Sequence, residues 1–367
     1  MSDIVLSADS TNLCGMRSGH RRIATVAITV LVFVALLFVG TTVAIPFVAL
    51  GPGPTVNTLG TIDLQDGKST IEKPVVDITG VPTDPTTGHL NLTTVSVSDG
   101  MSLFQGIGMW LSGRYTLEPR DQVFPPDQTP EQVQQQNTAD MTGSEDNATA
   151  AALRFLHRPT DLVVASVAAN GPSKDVLRQG DQIITVGGRA VSTTADMQAA
   201  VRANAPGTRL PIEIRRDGVT QMVSVTLAAR PDDPKVGYVG VTPQVVNADP
   251  ALKISYNVGD IGGPSAGMML TLAVIDRLSP GELTHGKFIA GTGTIDDTGA
   301  VGPIGGITHK TRAARDAGAT VFLVPQANCA EATSDAPAGL QLVKVTNLQS
   351  AIDALGDVGA GKAAPHC

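Results

Sequence analysis

The first clear pattern along the chain is an unbroken apolar run between residues 23 and 50. Its sequence, IATVAITVLVFVALLFVGTTVAIPFVAL, contains no charged residue. About 20 apolar residues suffice for a helix to cross a bilayer. Arg17, Arg21 and Arg22 precede the run, and basic flanks tend to stay in the cytoplasm. We therefore predict a single transmembrane anchor over 23–50, with residues 1–22 cytoplasmic and the rest of the chain outside; a long signal peptide is the alternative.

After the anchor, shorter patterns predict two small folded modules. Within residues 144–231, a helix, a strand, a second helix and two strands joined at Asp217-Gly218 indicate an α+β module. Residues 236–357 contain further strands and helices that indicate a second α+β domain. The expected fold class is α+β, with a C-terminal tail over 358–367.

The region 51–143 is the least regular part of the chain. Residues 88–97 alternate like a strand, and residues 101–113 have apolar positions at helical spacing, including the single tryptophan, Trp110. Because a free apolar helix would be prone to stick to other surfaces, we expect it to pack on the protein body. Residues 118–140 are rich in Pro and Gln, which indicates a linker or a wrapping arm.

Composition and charge narrow the set of partners. The chain has 26 Lys and Arg against 34 Asp and Glu, a formal net charge of −8, so we expect no nucleic-acid partner. The sequence contains no CxxC pair and no clustered histidines, so we expect no metal. Cys14 precedes the anchor on the reducing side, whereas Cys329 and Cys367 follow it. These last two are disulfide candidates, although two separate thiols would fit equally well.

The candidate chemistry centres on GDIGGPSAG, residues 259–267, which precedes an apolar helical pattern. Gly263 permits unusual backbone angles, Pro264 stiffens the turn, and N–H groups at a helix start stabilise an oxyanion. Ser265 is therefore a candidate nucleophile. Serine is also one of the best N-cap residues, and this segment alone leaves both interpretations open.

A nucleophilic serine needs a base, and several residues qualify. The segment fits the G-x-S-x-G elbow of α/β-hydrolases, for which Asp276 or Asp296 and then His309 would follow in the right order. The strand–turn–strand pattern after the serine argues against that fold. His285 is another candidate. Lys310 would serve if burial lowered its pKa and freed its lone pair.

The motif GGPSAG at 262–267, followed by GTGTIDDTGAVGPIGGITHK at 291–310 and ATVFLVP at 319–325, resembles the proteolytic domain of the Lon family of Ser–Lys peptidases. The resemblance covers residues 236–357. Two positions depart from the family pattern: the acidic residue common three positions before the serine is Gly262 here, and the family Glu is Thr294.

The resemblance assigns a role to each matching residue. It makes Ser265 the nucleophile and Lys310 the base, with Thr292 orienting the lysine. Gly263, Pro264 and Ala266 complete the loop around the nucleophile.

The upstream module resembles a PDZ domain. The segment VLRQGDQIITVGGRAV at 176–191 carries the L-x-x-G-D-x-I hallmark of these domains. PDZ domains bind peptides as an added strand, with the C-terminal carboxylate on backbone N–H groups. The resemblance places that peptide-binding loop near Phe155, Leu156 and His157.

Together, the anchor and the two modules resemble the membrane-anchored PDZ–Lon proteins of Gram-positive bacteria. This resemblance implies a membrane-tethered serine endopeptidase that cleaves exposed segments of envelope or secreted proteins without ATP or another cofactor, and it allows a homo-oligomer. GELTHGKF at 281–288 has phosphate-loop spacing, but Phe288 replaces the Ser or Thr that binds Mg²⁺, so we expect no nucleotide. The alternative is a scaffold protein that binds through its PDZ domain, with a silent dyad.

Overall fold

Helices and strands follow one another along most of the chain. The structure is a computed structural model that describes residues 12–66 and 69–367, with only the backbone described for residues 12–22 and Asp66. The helices are α1 Asn12–Thr42, α2 Leu103–Leu111, α3 Arg120–Val123, α4 Pro130–Phe155, α5 Thr194–Arg202, α6 Gly267–Leu278, α7 Ile307–Asp316, α8 Cys329–Ser334 and α9 Leu348–Gly359. Two short 3₁₀ turns cover Pro264–Ala266 and Gln326–Asn328.

The strands before residue 200 are β1 Phe47–Asn57, β2 Thr61–Asp66, β3 Ser69–Pro74, β4 Val76–Thr79, β5 His89–Ser98, β6 Thr116–Pro119, β7 Thr160–Val167, β8 Gln182–Val186 and β9 Arg189–Ala190. The later strands are β10 Arg209–Arg216, β11 Val219–Thr226, β12 Ala228–Ala229, β13 Gly237–Tyr238, β14 Val241–Asn247, β15 Lys253–Tyr256, β16 Phe288–Gly291, β17 Thr294–Ile295, β18 Val301–Gly302, β19 Val321–Pro325 and β20 Gln341–Val345.

Helix α1 contains the apolar run but ends before the run does. Its segment Ile23–Thr42 is long and apolar enough to cross a membrane. The predicted span of 23–50 is too long, because Pro46 has no N–H to continue the helix and Phe47 begins strand β1. The predicted cytoplasmic flank, with its arginines and Cys14, lies outside the residues whose side chains are described.

One compact unit contains the residues up to Gly51 together with Val97–Pro126. The first residues of β1 pair antiparallel with β6, from Phe47 opposite Pro119 to Leu50 opposite Thr116. Helix α2 forms over the predicted segment and packs on the rest of this unit on one side, where Gly106 is buried against Ile45. Its large apolar side chains nevertheless leave an exposed surface, with Trp110 61% exposed.

The second unit contains Pro52–Ser96 and Asp127–Cys367. One of its sheets has the strand order β11-β10-β8-β7-β14, and α5 packs against it. The hairpin between β10 and β11 turns at Asp217-Gly218, where both residues have positive φ, as the sequence predicts. Buried aliphatic side chains from both the sheet and α5 form a separate core.

Helix α4 replaces the predicted linker. It runs unbroken from Pro130 to Phe155, with a capping box between Thr129 and Gln132 at its start. The sequence predicted a linker to residue 140 and a helix only from residue 144. The first half of α4 is polar, and its buried face consists mostly of alanine, so the apolar periodicity is weak.

The other sheet of this unit is built from distant parts of the chain. Strands β5, β16, β19 and β20 lie side by side with parallel pairing. From Pro52 onward β1 lies beside β5, with Thr94 Oγ1 donating to the Pro54 carbonyl at 2.7 Å. Residues of the region 51–143, predicted to be separate, therefore extend the sheet of the domain predicted over 236–357. Helix α6 is buried from Gly267 to Asp276 against it.

Candidate active site

The loop before α6 holds the candidate nucleophile. Gly263 has φ of 83°, a left-handed conformation that favours glycine, and its N–H donates to the Asn137 carbonyl at 2.9 Å. Pro264–Ala266 then form a 3₁₀ turn, and α6 begins at Gly267 with Ala266 as its N-cap and no side-chain capping bond. Ser265 therefore does not cap the helix, and its side chain is turned toward another element.

That element is α7, which carries Lys310 in its first turn. Lys310 Nζ lies 2.6 Å from Ser265 Oγ, in hydrogen-bond contact. The lysine side chain is buried, with the residue 3% exposed. Burial lowers the pKa of Lys310 to about 8, because desolvation disfavours the charged ammonium. About a tenth of this amine is therefore neutral at pH 7 and about half at pH 8, where it could act as a base.

Thr292 links the base to the nucleophile. Lys310 Nζ donates to Thr292 Oγ1 at 3.0 Å, and Thr292 Oγ1 donates to the Ser265 carbonyl, also at 3.0 Å. The next residue, Gly293, donates its N–H to the same carbonyl at 2.9 Å. Thr292 is fully buried directly after β16, so the end of a central strand orients both side chains.

Two comparisons with known families bear on this arrangement. A family model described as the Lon protease (S16) C-terminal proteolytic domain matches residues 256–355, and one described as a PDZ domain matches residues 133–227. The chain carries a PDZ domain followed by a Lon proteolytic domain. The two matches support a serine peptidase with a PDZ domain.

Individual relatives cover shorter parts of the chain. The Lon protease of Campylobacter concisus (strain 13826) is 38% identical over 96 residues, which are 26% of this chain and 11% of that protein. A protein described as a probable periplasmic serine endoprotease DegP-like, from Pseudomonas putida (strain W619), is 35% identical over 79 residues, 21% of this chain and 16% of that protein. The chain thus spans about a sixth or less of the length of these curated relatives.

Solved structures similar to this chain include PDZ domains of other proteins. The crystal structure of the PDZ domain of the SdrC-like protein from Listeria monocytogenes is 21% identical and has a TM-score of 0.21. The match covers 23% of this chain and 86% of that chain.

Helix α4 holds the serine loop of the Lon domain from one side. Ser144 Oγ donates to the Pro264 carbonyl at 3.0 Å, one residue before the nucleophile. A Cβ at Gly262 would lie 2.8 Å from the Asn137 Cβ, so the close approach of α4 accounts for glycine at this position. Sequence reasoning missed both contacts. It assigned Asn137 to a linker, and it used Ser144 only as the start of a predicted helix.

The other departure from the family pattern has no contact with the dyad. Thr294 lies in β17, where it pairs with Gly302 of β18, and a Cβ at Gly302 would meet the Thr294 hydroxyl. This residue shapes a small hairpin.

A cleft of about 1020 Å³ opens at Ser265 and Lys310. Its walls come from β1, β2, β5 and the loop before Ser265; polar side chains such as Asp63 and Asp260 are outnumbered there by apolar ones. The apolar side chains include Val56, Ile62, Leu64, Leu92, Val258 and Ile261. The cleft therefore offers a substrate an apolar surface beside the nucleophile.

The α/β-hydrolase arrangement is not assembled around the serine. Asp276 is buried in α6, where it accepts the Leu283 N–H at 2.6 Å, and burial raises its pKa. Asp296 accepts bonds from Thr298 within its own turn. The Ser265 hydroxyl is instead in hydrogen-bond contact with Lys310.

The predicted peptide-binding residues of the PDZ domain lie elsewhere than expected. Phe155 and Leu156 end α4 and pack against the core of the Lon domain, and His157 is an exposed turn residue with φ of 53°. The structure thus places these three residues at the junction between α4 and β7.

A groove of about 240 Å³ lies instead between α5 and residues 236–243. Its lining includes Met197, Val201 and Arg202 of α5 and Val239, Val241 and Pro243 of the facing segment. That segment continues into β14, which pairs with β7. The sequence signal that would have located this groove is the glycine-rich segment GYVG at 237–240, which follows the predicted PDZ module in the chain.

The C-terminal tail is attached to the Lon domain by a disulfide. Cys329 and Cys367 are bonded, with Cα atoms 5.1 Å apart. Beside the disulfide, Lys344 of β20 donates its N–H to the Pro365 carbonyl at 2.9 Å. The disulfide candidate is confirmed.

Proposed function

We propose that the chain is a membrane-tethered, ATP-independent serine endopeptidase with Ser265 and Lys310 as its catalytic dyad. The observation that carries the proposal is the 2.6 Å contact between Lys310 Nζ and Ser265 Oγ, made by a buried lysine whose pKa is lowered to about 8. A buried neutral amine beside a hydroxyl is a combination that activates serine.

The steps of peptide cleavage follow from this geometry. Neutral Lys310 takes the hydroxyl proton as Ser265 Oγ attacks the scissile carbonyl. Backbone N–H groups around Ser265 stabilise the oxyanion. Protonated Lys310 then gives its proton to the leaving amine, and the acyl ester is hydrolysed by water with Lys310 again acting as base. Thr292 keeps Nζ directed at the hydroxyl throughout.

The surroundings of the dyad favour flexible protein segments as substrates. The aliphatic cleft beside Ser265 suits an extended segment with an apolar side chain. The PDZ groove beside α5 suits capture of a peptide as an added strand, which would position a substrate for cleavage. With α1 as a single-pass anchor and a cytoplasmic N-terminus, envelope or secreted proteins are the substrates in reach.

The test is peptide hydrolysis by the full chain in detergent micelles or vesicles. We expect Ser265→Ala and Lys310→Met each to lower kcat/KM by about three orders of magnitude or more, because each removes a member of the dyad. Ser334→Ala and Lys287→Met, at exposed positions, are the matched controls and retain activity. Cleavage by Ser265→Ala at the wild-type rate would refute the proposal.

The PDZ groove favours a second candidate function, peptide binding without proteolysis. A tryptophan at Gln198, which lines the groove, would fill it, whereas Ala199→Trp on the same helix would not. If the chain is a scaffold, Gln198→Trp should abolish the cellular function that the wild-type chain supports, and Lys310→Met should leave that function intact. The peptidase predicts loss of that function with Lys310→Met.

A further inference from the structure

Helix α2 has an apolar face that its own unit leaves uncovered. Five large apolar side chains are between 41% and 71% exposed: Leu103, Phe104, Ile107, Trp110 and Leu111. They follow the i, i+1, i+4, i+7, i+8 spacing that places side chains on one side of a helix. Single exposed apolar residues are ordinary, but a contiguous face of this kind marks a binding surface.

Helix α2 is fixed to α1 and to the segment that follows it by its N-terminal end and by one edge of the apolar face, at Phe104. Ile45 donates its N–H to the Met101 carbonyl at 2.9 Å, and Ala44 forms a bridge with Ser102. The Phe104 ring lies so close to Gly40 of α1 that a Cβ there would clash with it. The position of α2 relative to α1 is therefore set by backbone bonds as well as by packing.

This attachment fixes the depth of α2 in a bilayer that α1 crosses. At 1.5 Å per residue, Ile23–Thr42 is about 30 Å long, which matches the hydrocarbon thickness of a bilayer. Gly40 lies at the outer end of that length. Helix α2 is therefore held where the hydrocarbon ends and the headgroups begin.

The chemistry of α2 suits that depth. Tryptophan concentrates at the membrane interface, where its ring has both apolar and polar contacts, and Trp110 is on the exposed face. Side chains form hydrogen bonds with backbone groups at both ends of the helix. Ser102 and Gln105 form a capping box, and the Ser112 hydroxyl donates to the Met109 carbonyl at 2.5 Å. Such a helix can lie in the interface without unpaired backbone groups at its ends.

We propose that α2 lies in the outer membrane–water interface, with its apolar face in the lipid of the same bilayer that α1 crosses. The proposal rests on the membrane tether in the proposed function. Two helices then attach the chain to the membrane: α1 spans the bilayer and α2 lies along its surface. The occupant of the apolar face is lipid, not a second copy of the chain.

Trp110 is the only tryptophan in the sequence, so its fluorescence reports on α2 alone. The experiment uses the full chain in phosphatidylcholine–phosphatidylglycerol vesicles, with doxyl quenchers on the lipid chains. We expect at least twofold stronger quenching by a label near the headgroup than by one at the chain end, and protection from aqueous acrylamide. The control is Trp110→Phe/Val219→Trp, which moves the reporter to a hairpin residue 65% exposed. It should be quenched by acrylamide and not by the lipid labels.

Two outcomes would overturn the proposal. One is acrylamide quenching of Trp110 equal to that of the control reporter. The other is protection from acrylamide that grows with protein density and comes without lipid quenching, which would identify a second copy as the occupant.

The proposal can fail separately from the tether and from the peptidase. A chain that resists carbonate extraction while Trp110 is unquenched by lipid would refute the interfacial helix alone. Extraction of the chain would refute the tether. Leu111→Asp should reduce lipid quenching at least twofold and leave hydrolysis of a soluble peptide unchanged.

Discussion

Thr194, the first residue of α5, donates two hydrogen bonds to Asp297: its N–H to Oδ2 at 2.7 Å and its hydroxyl to Oδ1 at 3.0 Å. Thr194 belongs to the PDZ domain, at the start of the helix that lines its groove. Asp297 belongs to the Lon domain, five residues after Thr292, and is 2% exposed. A carboxylate at a helix N-terminus also interacts favourably with the helix dipole. The two domains therefore meet at a buried carboxylate.

We expect Asp297→Ala to lower the free energy of unfolding by about 1–3 kcal/mol, because it leaves two partly buried donors of Thr194 without their acceptor. Asp297→Asn should cost less, since one acceptor oxygen remains. Urea denaturation measures the difference, with Asp353→Ala at an exposed site of α9 as the control. An Asp297→Ala chain as stable as this control would show that the contact is dispensable.

Peptide cleavage should increase as the pH rises through about 8. The base must be neutral, and the pKa of Lys310 is lowered to about 8 by burial, so protonation removes activity below that value. A pH profile of kcat/KM between pH 6 and 10 measures the midpoint. A profile that is flat over this range would argue against lysine as the base.

Thr292→Val should lower kcat and move the same midpoint to lower pH. The hydroxyl accepts a hydrogen bond from Lys310 Nζ, and its loss removes a partner that favours the charged amine. Thr292→Ser keeps the hydroxyl and should restore most of the activity. A purely structural role would lower stability without moving the midpoint.

Ser144→Ala should lower kcat about threefold to tenfold, because one hydrogen bond of ordinary strength holds the Pro264 carbonyl beside the nucleophile. Thr142→Ala is the matched control, since its hydroxyl bonds within α4 to the Thr138 carbonyl. Steady-state kinetics on a short peptide separates the two variants. Equal kcat in both would mean that the Ser144 hydroxyl does not position the serine loop.

Loss of the disulfide should destabilise the Lon domain by about 4 kcal/mol, the chain-entropy cost for a closed loop of this length. The separation between Cys329 and Cys367 is 38 residues. Denaturation of Cys329→Ser and Cys367→Ser, with and without a reducing agent, measures the effect. The reducing agent should lower the free energy of unfolding of the wild type and leave that of both variants unchanged. An equal effect of the reducing agent on all three proteins would contradict the disulfide.

Local patterns were sufficient to predict much of this protein. The apolar run, the Asp217-Gly218 hairpin and the helix at α2 all follow from periodicity or turn chemistry within about a dozen residues. Two motifs in sequential order were enough to nominate Ser265 and Lys310, and the structure brings these side chains into contact.

The predictions that differ from the structure concern relationships between distant segments. The span was extended past Pro46, because the pattern of apolar residues does not distinguish the exposed apolar helix α1 from the buried residues at the start of β1. The first half of α4 was assigned to a linker, because its helical conformation is supported by packing of small side chains and not by an apolar stripe. The peptide-binding loop was placed near the start of the PDZ module, although the segment facing α5 follows the module.

The sequence by itself determined the types of residue at the candidate site. Residue identity is read directly from the sequence, and it places a serine after a glycine-rich turn and a lysine after a second motif. Only the tertiary structure decided their chemistry. Burial of Lys310 lowers its pKa, and that burial depends on β16, α6 and α7 packing together. It also decided that Ser265 faces the lysine and not its own helix. These properties arise from contacts between residues far apart in the chain, and local sequence does not encode such contacts in any periodic form.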